Sequence, residues 1–183
     1  MCGITALVNF SAATGFDPDL IRPMTDAIAH RGPDGDGFHF SDGVALGHRR
    51  LSIIDIAGGH QPMLTADGKV AVVFNGEIYN FKTLRKDLEG RGARCQTRGV
   101  TEVILEAWRH VGPDCVDHLG GMFAFILWDE DAQTLVAARD RLGKKPLYYT
   151  VLPDETLIFA SELKALTAHP GFRRGIDPRA MED

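Results

Sequence analysis

Residues 63–79 read MLTADGKVAVVFNGEIY, with the pair Asp67-Gly68 set between two apolar segments. Asp-Gly between strand-forming runs is the sharpest short-range signal of a β-hairpin, because the turn needs positive φ while the flanks need β-branched side chains. The same arrangement recurs at residues 38–53, FHFSDGVALGHRRLSI, around Asp42-Gly43. Two antiparallel hairpins are therefore expected, and they argue for α+β layers rather than a doubly wound parallel sheet.

Working outward, GITALVNF (3–10) is a short apolar run with β-branched residues and reads as a buried strand directly behind the N-terminus. DPDLIRPMTDAIAHRG (17–32) places Leu20, Ile21, Met24 and Ile28 at helical spacing, with Asp17 as cap, Pro18 at the first helical position and Gly32 past the end. NFKTLRKDLEGRG (80–92) and TEVILEAWRHVG (101–112) read as amphipathic helices ending at glycine, and PDCVDHLGG (113–121) as a shorter helical piece. Strands return in MFAFILWD, TLVAARD, PLYYTVL and TLIFASE, and SELKALTAHP (161–170) is expected to be a final helix. The closing GFRRGIDPRAMED starts one more helix at Asp177-Pro178 and stops after a turn, as a fragment of a longer chain would.

The 183 residues suit one domain, able to bury roughly two thirds of its unfolded surface. With 44% hydrophobic and 25% charged residues and a net charge of -5, the chain has a soluble profile and no basic excess that would suggest nucleic acid. It has neither a long apolar run nor the basic start of a signal peptide, so no membrane partner and a cytoplasmic location are expected. Cys2, Cys95 and Cys115 are odd in number and far apart, which speaks against a disulfide framework. Cys95 and Cys115 are expected as small core residues. The seven histidines lack metal-ligand spacing, so surface or capping roles are expected for them and no metal is assigned.

Three stretches have chemical potential. Removal of Met1 would leave Cys2 with a free α-amino group, so that one residue would hold a nucleophile and a base of pKa about 8. In FNGEIYNF (74–81), Asn75 and Gly76 fall where a strand is expected to end in a turn, and an amide side chain beside an unhindered N–H can form an oxyanion hole. Taken alone, an ordinary Asn-Gly turn is the simpler reading. In GHRRLSIID (47–55) two adjacent arginines follow a strand, so alternation lets only one face a given pocket, where its guanidinium would match a carboxylate. Taken alone, a solvated basic pair is the simpler reading.

Together, Cys2 with HRGPDG, GHRRLSIID, FNGEIYNF, GMFAFILWD, RDRLGKKPLYY and SELKAL resembles the glutaminase domain of asparagine synthetases and related class II glutamine amidotransferases, over nearly the whole chain. HQPM, LGKKPLYY and SELKALTAHP are similar to the exosortase-associated subgroup. The resemblance implies an N-terminal-nucleophile hydrolase fold, an αββα sandwich of two antiparallel sheets between helical layers, spanning residues 1–183. It implies hydrolysis of L-glutamine to L-glutamate and ammonia through a thioester on Cys2. By matching motif, Arg50 would hold the glutamine α-carboxylate beside the Ile53 and Ile54 backbone, Arg49 would be exposed, Asn75 and Gly76 would form the oxyanion hole, and Glu77 would meet the amino end.

One position departs from the family pattern. The family reads Ser-Asp-Thr-Glu before VIL, whereas RGVTEVIL (98–105) has Val100 in place of the aspartate that pairs with the substrate ammonium. Losing that partner in a closed pocket predicts weak glutamine binding. A shifted acid, compensation by Glu77 or water, and altered substrate preference all remain open. No SGGxDS loop occurs, so the family's ATP-dependent synthetase domain is expected to be missing from this chain. ATP and Mg are therefore expected only in that missing partner domain, no cofactor is expected here, and the uncovered surface is expected to favour weak self-association, as in a homodimer. A silent docking module and a hydrolase acting on another amide are the competing readings.

Overall fold

A computed structural model of the chain describes residues 1–11, 15–52, 58–97 and 99–175. Both expected hairpins form. Strands β2 (Gly35–Ser41) and β3 (Val44–Arg50) turn at Gly43 with φ 69°, and β4 (Met63–Leu64) and β5 (Val70–Ile78) turn at Gly68 with φ 73°, a left-handed conformation that glycine adopts without strain. The N-terminal run is β1 (Gly3–Val8), and the second half supplies β6 (Gly121–Asp129), β7 (Thr134–Arg139), β8 (Tyr148–Val151) and β9 (Leu157–Ala160). All named strand pairs are antiparallel, in a sheet of order β2-β3-β1-β9-β8 and a second of order β4-β5-β6-β7.

Helix α1 (Pro18–Asp26) packs on the first sheet, its N-terminus capped by the Asp17 carboxylate, which accepts the Asp19 N–H. It is shorter than the apolar spacing suggested. Pro23 stands inside it, and after Asp26 the chain passes through a 3-10 turn, Ala29–Arg31, before Gly32. Helices α2 (Phe81–Gly90) and α3 (Val100–Val111) cover the second sheet, and the PDCVDHLGG segment is a 3-10 helix over Gly112–His118. SELKALTAHP gives only α4 (Leu163–Leu166) followed by turns.

Two sheets between helices need strands that are apolar on both faces, and the core shows why the runs look continuous. On β6, Phe123, Phe125 and Leu127 pack toward α3, while Ala124, Ile126 and Trp128 fill the space between the sheets. On β1, Ile4, Ala6 and Val8 face that same inter-sheet layer, and Leu7 turns outward to Ile21, Met24 and Ile28. The first sheet has one strand more than the second, and its edge strand β8 leaves Tyr149 and Val151 exposed.

Two expectations are corrected, and a third falls where the structure is silent. Cys115 is fully buried, and burial pushes its thiol up to about 11, but Cys95 is only half-buried. Among the histidines, His169 is buried and His48 is 0% exposed. The Asp177-Pro178 helix lies outside the described residues.

His48 is on the inward face of β3, two residues from Leu46, and its Nε2–H donates across the sandwich to the Phe74 carbonyl at 3.3 Å. Burial, opposed by that bond and assisted by the Arg50 charge, lowers its pKa from 6.5 to about 4. The unfolded chain therefore takes up a proton here below pH 6.5 that the folded chain refuses until about pH 4. This contribution to stability is whole above pH 6.5 and lost as pH falls toward 4. At about 1.4 kcal/mol per pH unit the loss is about 3 kcal/mol. In urea titrations of wild type and His48→Gln, the variant is expected to lack this part of the fall between pH 6.5 and 4.

Candidate active site

The alternation that fills the core also builds the site. On β3 the inward positions run Leu46, His48, Arg50, and on β5 they run Ala71, Val73, Asn75, Glu77. In the middle of the sandwich these positions are apolar, and at one end they become polar. Cys2 precedes Ile4 on the same face of β1, so its side chain joins them. There the sheets and the start of α3 enclose a cavity of about 340 Å³ whose lining includes Cys2, Arg50, Asn75, Gly76, Glu77 and Val100. Six of the eight residues singled out from sequence thus come together. The other two, Ile53 and Ile54, lie outside the described residues.

Asn75 and Gly76 are not in a turn. They sit within β5, opposite Ala124 and Phe123 of β6, because the ladder runs on to Ile78. A Cβ on Gly76 would collide with the Met122 carbonyl and the Phe123 Cα, so the close approach of the two strands requires glycine. The stretch is gripped at Phe74, whose N–H donates to Gln61 Oε1 at 2.6 Å and whose carbonyl takes the His48 bond. By continuing the β4–β5 register, Gln61 falls opposite Phe74, so its side chain takes the bond that a longer β4 would have taken. Gln61 Nε2 also donates to Thr101 Oγ1 at 3.3 Å, tying α3 to the same point.

The reactive end is held equally firmly. The Cys2 sulfur accepts the Leu51 N–H at 3.4 Å, and its S–H points to the Leu51 carbonyl at 3.7 Å. The Cys2 carbonyl accepts from Arg31 Nε at 2.9 Å and from the Asn75 side-chain amide at 3.2 Å. The Asn75 amide oxygen in turn accepts from Arg31 Nη2 at 3.2 Å, and Arg31 Nη1 pairs with Glu162 at 2.9 Å. The Glu162 carboxylate is held below its usual range because Arg31, Lys164 and His30 together outweigh its burial.

The two arginines of GHRRLSIID separate as alternation requires. Arg50 is buried against the cavity. Arg49 turns to the α1 side, but it is not simply solvated: Nε donates to the Thr25 carbonyl at 3.2 Å, and the guanidinium pairs with Asp26 and Asp36. Val100 is the first residue of α3, buried, and offers the cavity an apolar wall. Lys145, from LGKKPL, also reaches the cavity.

Sequence reasoning did not assign Arg31, Gln61, His48 or Lys145. Arg31 and Gln61 stand in the quoted stretches HRGPDG and HQPM, yet nothing local says what they would touch. Among the described residues, no group of three or more His, Cys, Asp or Glu is placed to hold a metal ion, and no helix is long and apolar enough to cross a membrane.

A family model of the glutamine amidotransferase domain matches residues 1–183. The chain belongs to this family. The amidotransferase domain is 42% identical over 185 residues to asparagine synthetase [glutamine-hydrolyzing] 3 of Bacillus subtilis, covering 100% of this chain and 30% of that protein. It is 40% identical over 173 residues to a probable asparagine synthetase [glutamine-hydrolyzing] of Schizosaccharomyces pombe, covering 93% of this chain and 30% of that one. The domain therefore spans under a third of these relatives. Among solved structures, the glutamine phosphoribosylpyrophosphate amidotransferase of B. subtilis has a TM-score of 0.75 at 21% identity, covering 96% of this chain and 45% of that chain. The αββα sandwich of the domain is thus the N-terminal-nucleophile fold.

The clamp on Cys2 makes a stability prediction. Arg31→Ala should cost about 2 kcal/mol in urea unfolding, less than a fully buried pair because Glu162 retains Lys164 and His30. Arg31→Lys should recover less than half, since a single ammonium cannot span three acceptors.

Proposed function

We propose that this domain is a glutaminase, hydrolysing L-glutamine to L-glutamate and ammonia with Cys2 as nucleophile. The observation that carries the reading is the convergence of Cys2, Arg50, Asn75, Gly76 and Glu77 on one cavity. Removal of Met1 frees the Cys2 α-amino group to act as base. The sulfur attacks the side-chain amide carbon as the amine takes the thiol proton, and the negative charge develops on the amide oxygen.

Asn75 and the Gly76 N–H stabilise that oxyanion, each donor being worth about 3 kcal/mol where water is excluded. The amine then passes its proton to the leaving nitrogen, ammonia departs, and the γ-glutamyl thioester is hydrolysed by water. Arg50 binds the substrate α-carboxylate in the two-pronged geometry that suits guanidinium, and Glu77 meets the α-ammonium. Val100, where an acid would complete the ammonium's neutralisation, makes glutamine binding weak.

The relatives named above are glutamine-hydrolysing synthetases of about three times this length, which supports a second, ammonia-accepting domain as the physiological partner. The exposed Tyr149 and Val151 on β8 supply apolar surface for such a contact.

The reading is tested by ammonia release from L-glutamine with protein shown by mass spectrometry to begin at Cys2. Release is expected from wild type and not from Cys2→Ala; equal release from both would overturn it. Asn75→Ala should lower kcat about 10²-fold with little change in KM. Val100→Asp should lower KM about tenfold with kcat little changed, read from the same steady-state kinetics.

A further inference from the structure

Lys145 is 5% exposed, yet among the described residues its ammonium has one hydrogen-bond partner, the Met1 thioether. Thioether sulfur is a weak acceptor, and a buried ammonium normally has a carboxylate or several oxygens. No carboxylate among the described residues lies within ion-pair distance of Nζ. The nearest in sequence, Asp140, is already engaged: its oxygens accept the N–H groups of Phe123, Lys144 and Lys145. Burial works against the Asp140 charge, but these N–H groups outweigh it and hold the carboxyl below its usual range. The Asp140 loop therefore fixes the Lys145 backbone and leaves its side chain directed at residue 1, the residue whose removal the proposed mechanism requires.

We propose that Lys145 is a positioning cation for the Cys2 amino group: once Met1 is gone, its ammonium stands beside the new N-terminus and keeps that amine unprotonated, ready to accept the thiol proton. The inference rests on the glutaminase reading for its purpose, but its physical content is separate. Two ammonium groups sharing a cavity disfavour each other's charge, and an ordinary α-amino group, titrating about two units below a lysine, is the one that gives up its proton.

The other charges around this point are asymmetric. Arg31 lies on the Cys2 carbonyl with its charge tied to Glu162, and Arg50 and Glu77 line the cavity from β3 and β5. Asp140 is committed to backbone N–H groups. Lys145 is the cation in direct contact with residue 1 through its side chain. It makes no bond to the substrate in this scheme. It sets the proton inventory of the group that does the transfer, so that amine and thiol exchange one proton with no outside base.

The test titrates the Cys2 amine directly, through the pH dependence of N-terminal acetylation by acetic anhydride, followed by mass spectrometry on protein beginning at Cys2. Relative to wild type, Lys145→Gln should move the midpoint up by about one pH unit, and Lys145→Arg should leave it in place. Lys145→Met, closer in shape to the lysine stem, should give the same upward shift if the glutamine variant folds poorly. In glutamine hydrolysis, the acid limb of kcat/KM should move with the midpoint, so that Lys145→Gln loses up to tenfold at pH 7 and recovers at pH 9. A midpoint unmoved by loss of the charge overturns the proposal whatever happens to the rate. A chain that keeps Met1 after aminopeptidase treatment also overturns it. A midpoint shift in a protein that does not hydrolyse glutamine supports the role of Lys145 while refuting the glutaminase reading.

Discussion

The Arg31 guanidinium is the contact on which the site depends. Its three nitrogens reach the Cys2 carbonyl, the Asn75 amide and the Glu162 carboxylate, which belong respectively to the head of β1, the middle of β5 and the junction of β9 with α4. A chain terminus ordinarily frays, since it has neighbours on one side only. Here the terminal segment runs into the central strand of a five-stranded sheet, and its first carbonyl is bonded twice. One planar cation with five N–H groups can join a strand of each sheet and a helix start in one plane, which an ammonium cannot do. The sulfur of Cys2 is thereby placed with the precision of a core residue while its side chain still faces a cavity.

The cavity exists because the two sheets change character along their length. Ile4, Leu46, Ala71 and Val73 close the inter-sheet layer with apolar contacts, and one step further along the same strands the inward positions become Cys2, His48, Arg50 and Asn75. His48 marks the boundary. It is too deeply buried to carry charge at neutral pH, and its single bond to the Phe74 carbonyl links β3 to β5 immediately before Asn75. A neutral imidazole there combines burial with a directed hydrogen bond, which neither an aliphatic side chain nor a charged one would provide. The same alternation sends Arg50 to the cavity and Arg49 to the α1 side, so a sequence of two identical residues serves two different layers.

The charges around the cavity are unequal. Arg50 and Lys145 line it with Glu77, and the first turn of α3, whose N-terminus carries a partial positive charge, contributes the apolar Val100 and not an acid. Under the proposed glutaminase reading, such a field suits a nucleophile that must become a thiolate and an oxygen that must become an oxyanion. It is less suited to a cationic group on the substrate, which is the physical content of the departure at Val100.

By itself the sequence determined the elements and their arrangement in layers. Asp42-Gly43 and Asp67-Gly68 specify hairpins through the positive φ that glycine permits, and runs apolar on every residue, such as MFAFILW, specify strands buried on both faces. The order of motifs also singled out Cys2, Arg50 and Asn75, which the fold brings to one cavity. Asn75-Gly76 was read locally as a turn and is instead mid-strand, because pairing with β6 and the side-chain bond from Gln61 extend the ladder through it. SELKALTAHP carries a helical pattern but yields four helical residues. Only the tertiary structure could decide the partners of Arg31, Gln61, His48 and Lys145, since each acts on a residue that is 13 to 144 positions away in the chain. Hydrophobic periodicity is a property of neighbours and survives in the sequence, whereas a hydrogen bond across two sheets depends on how they pack, and no local pattern encodes that.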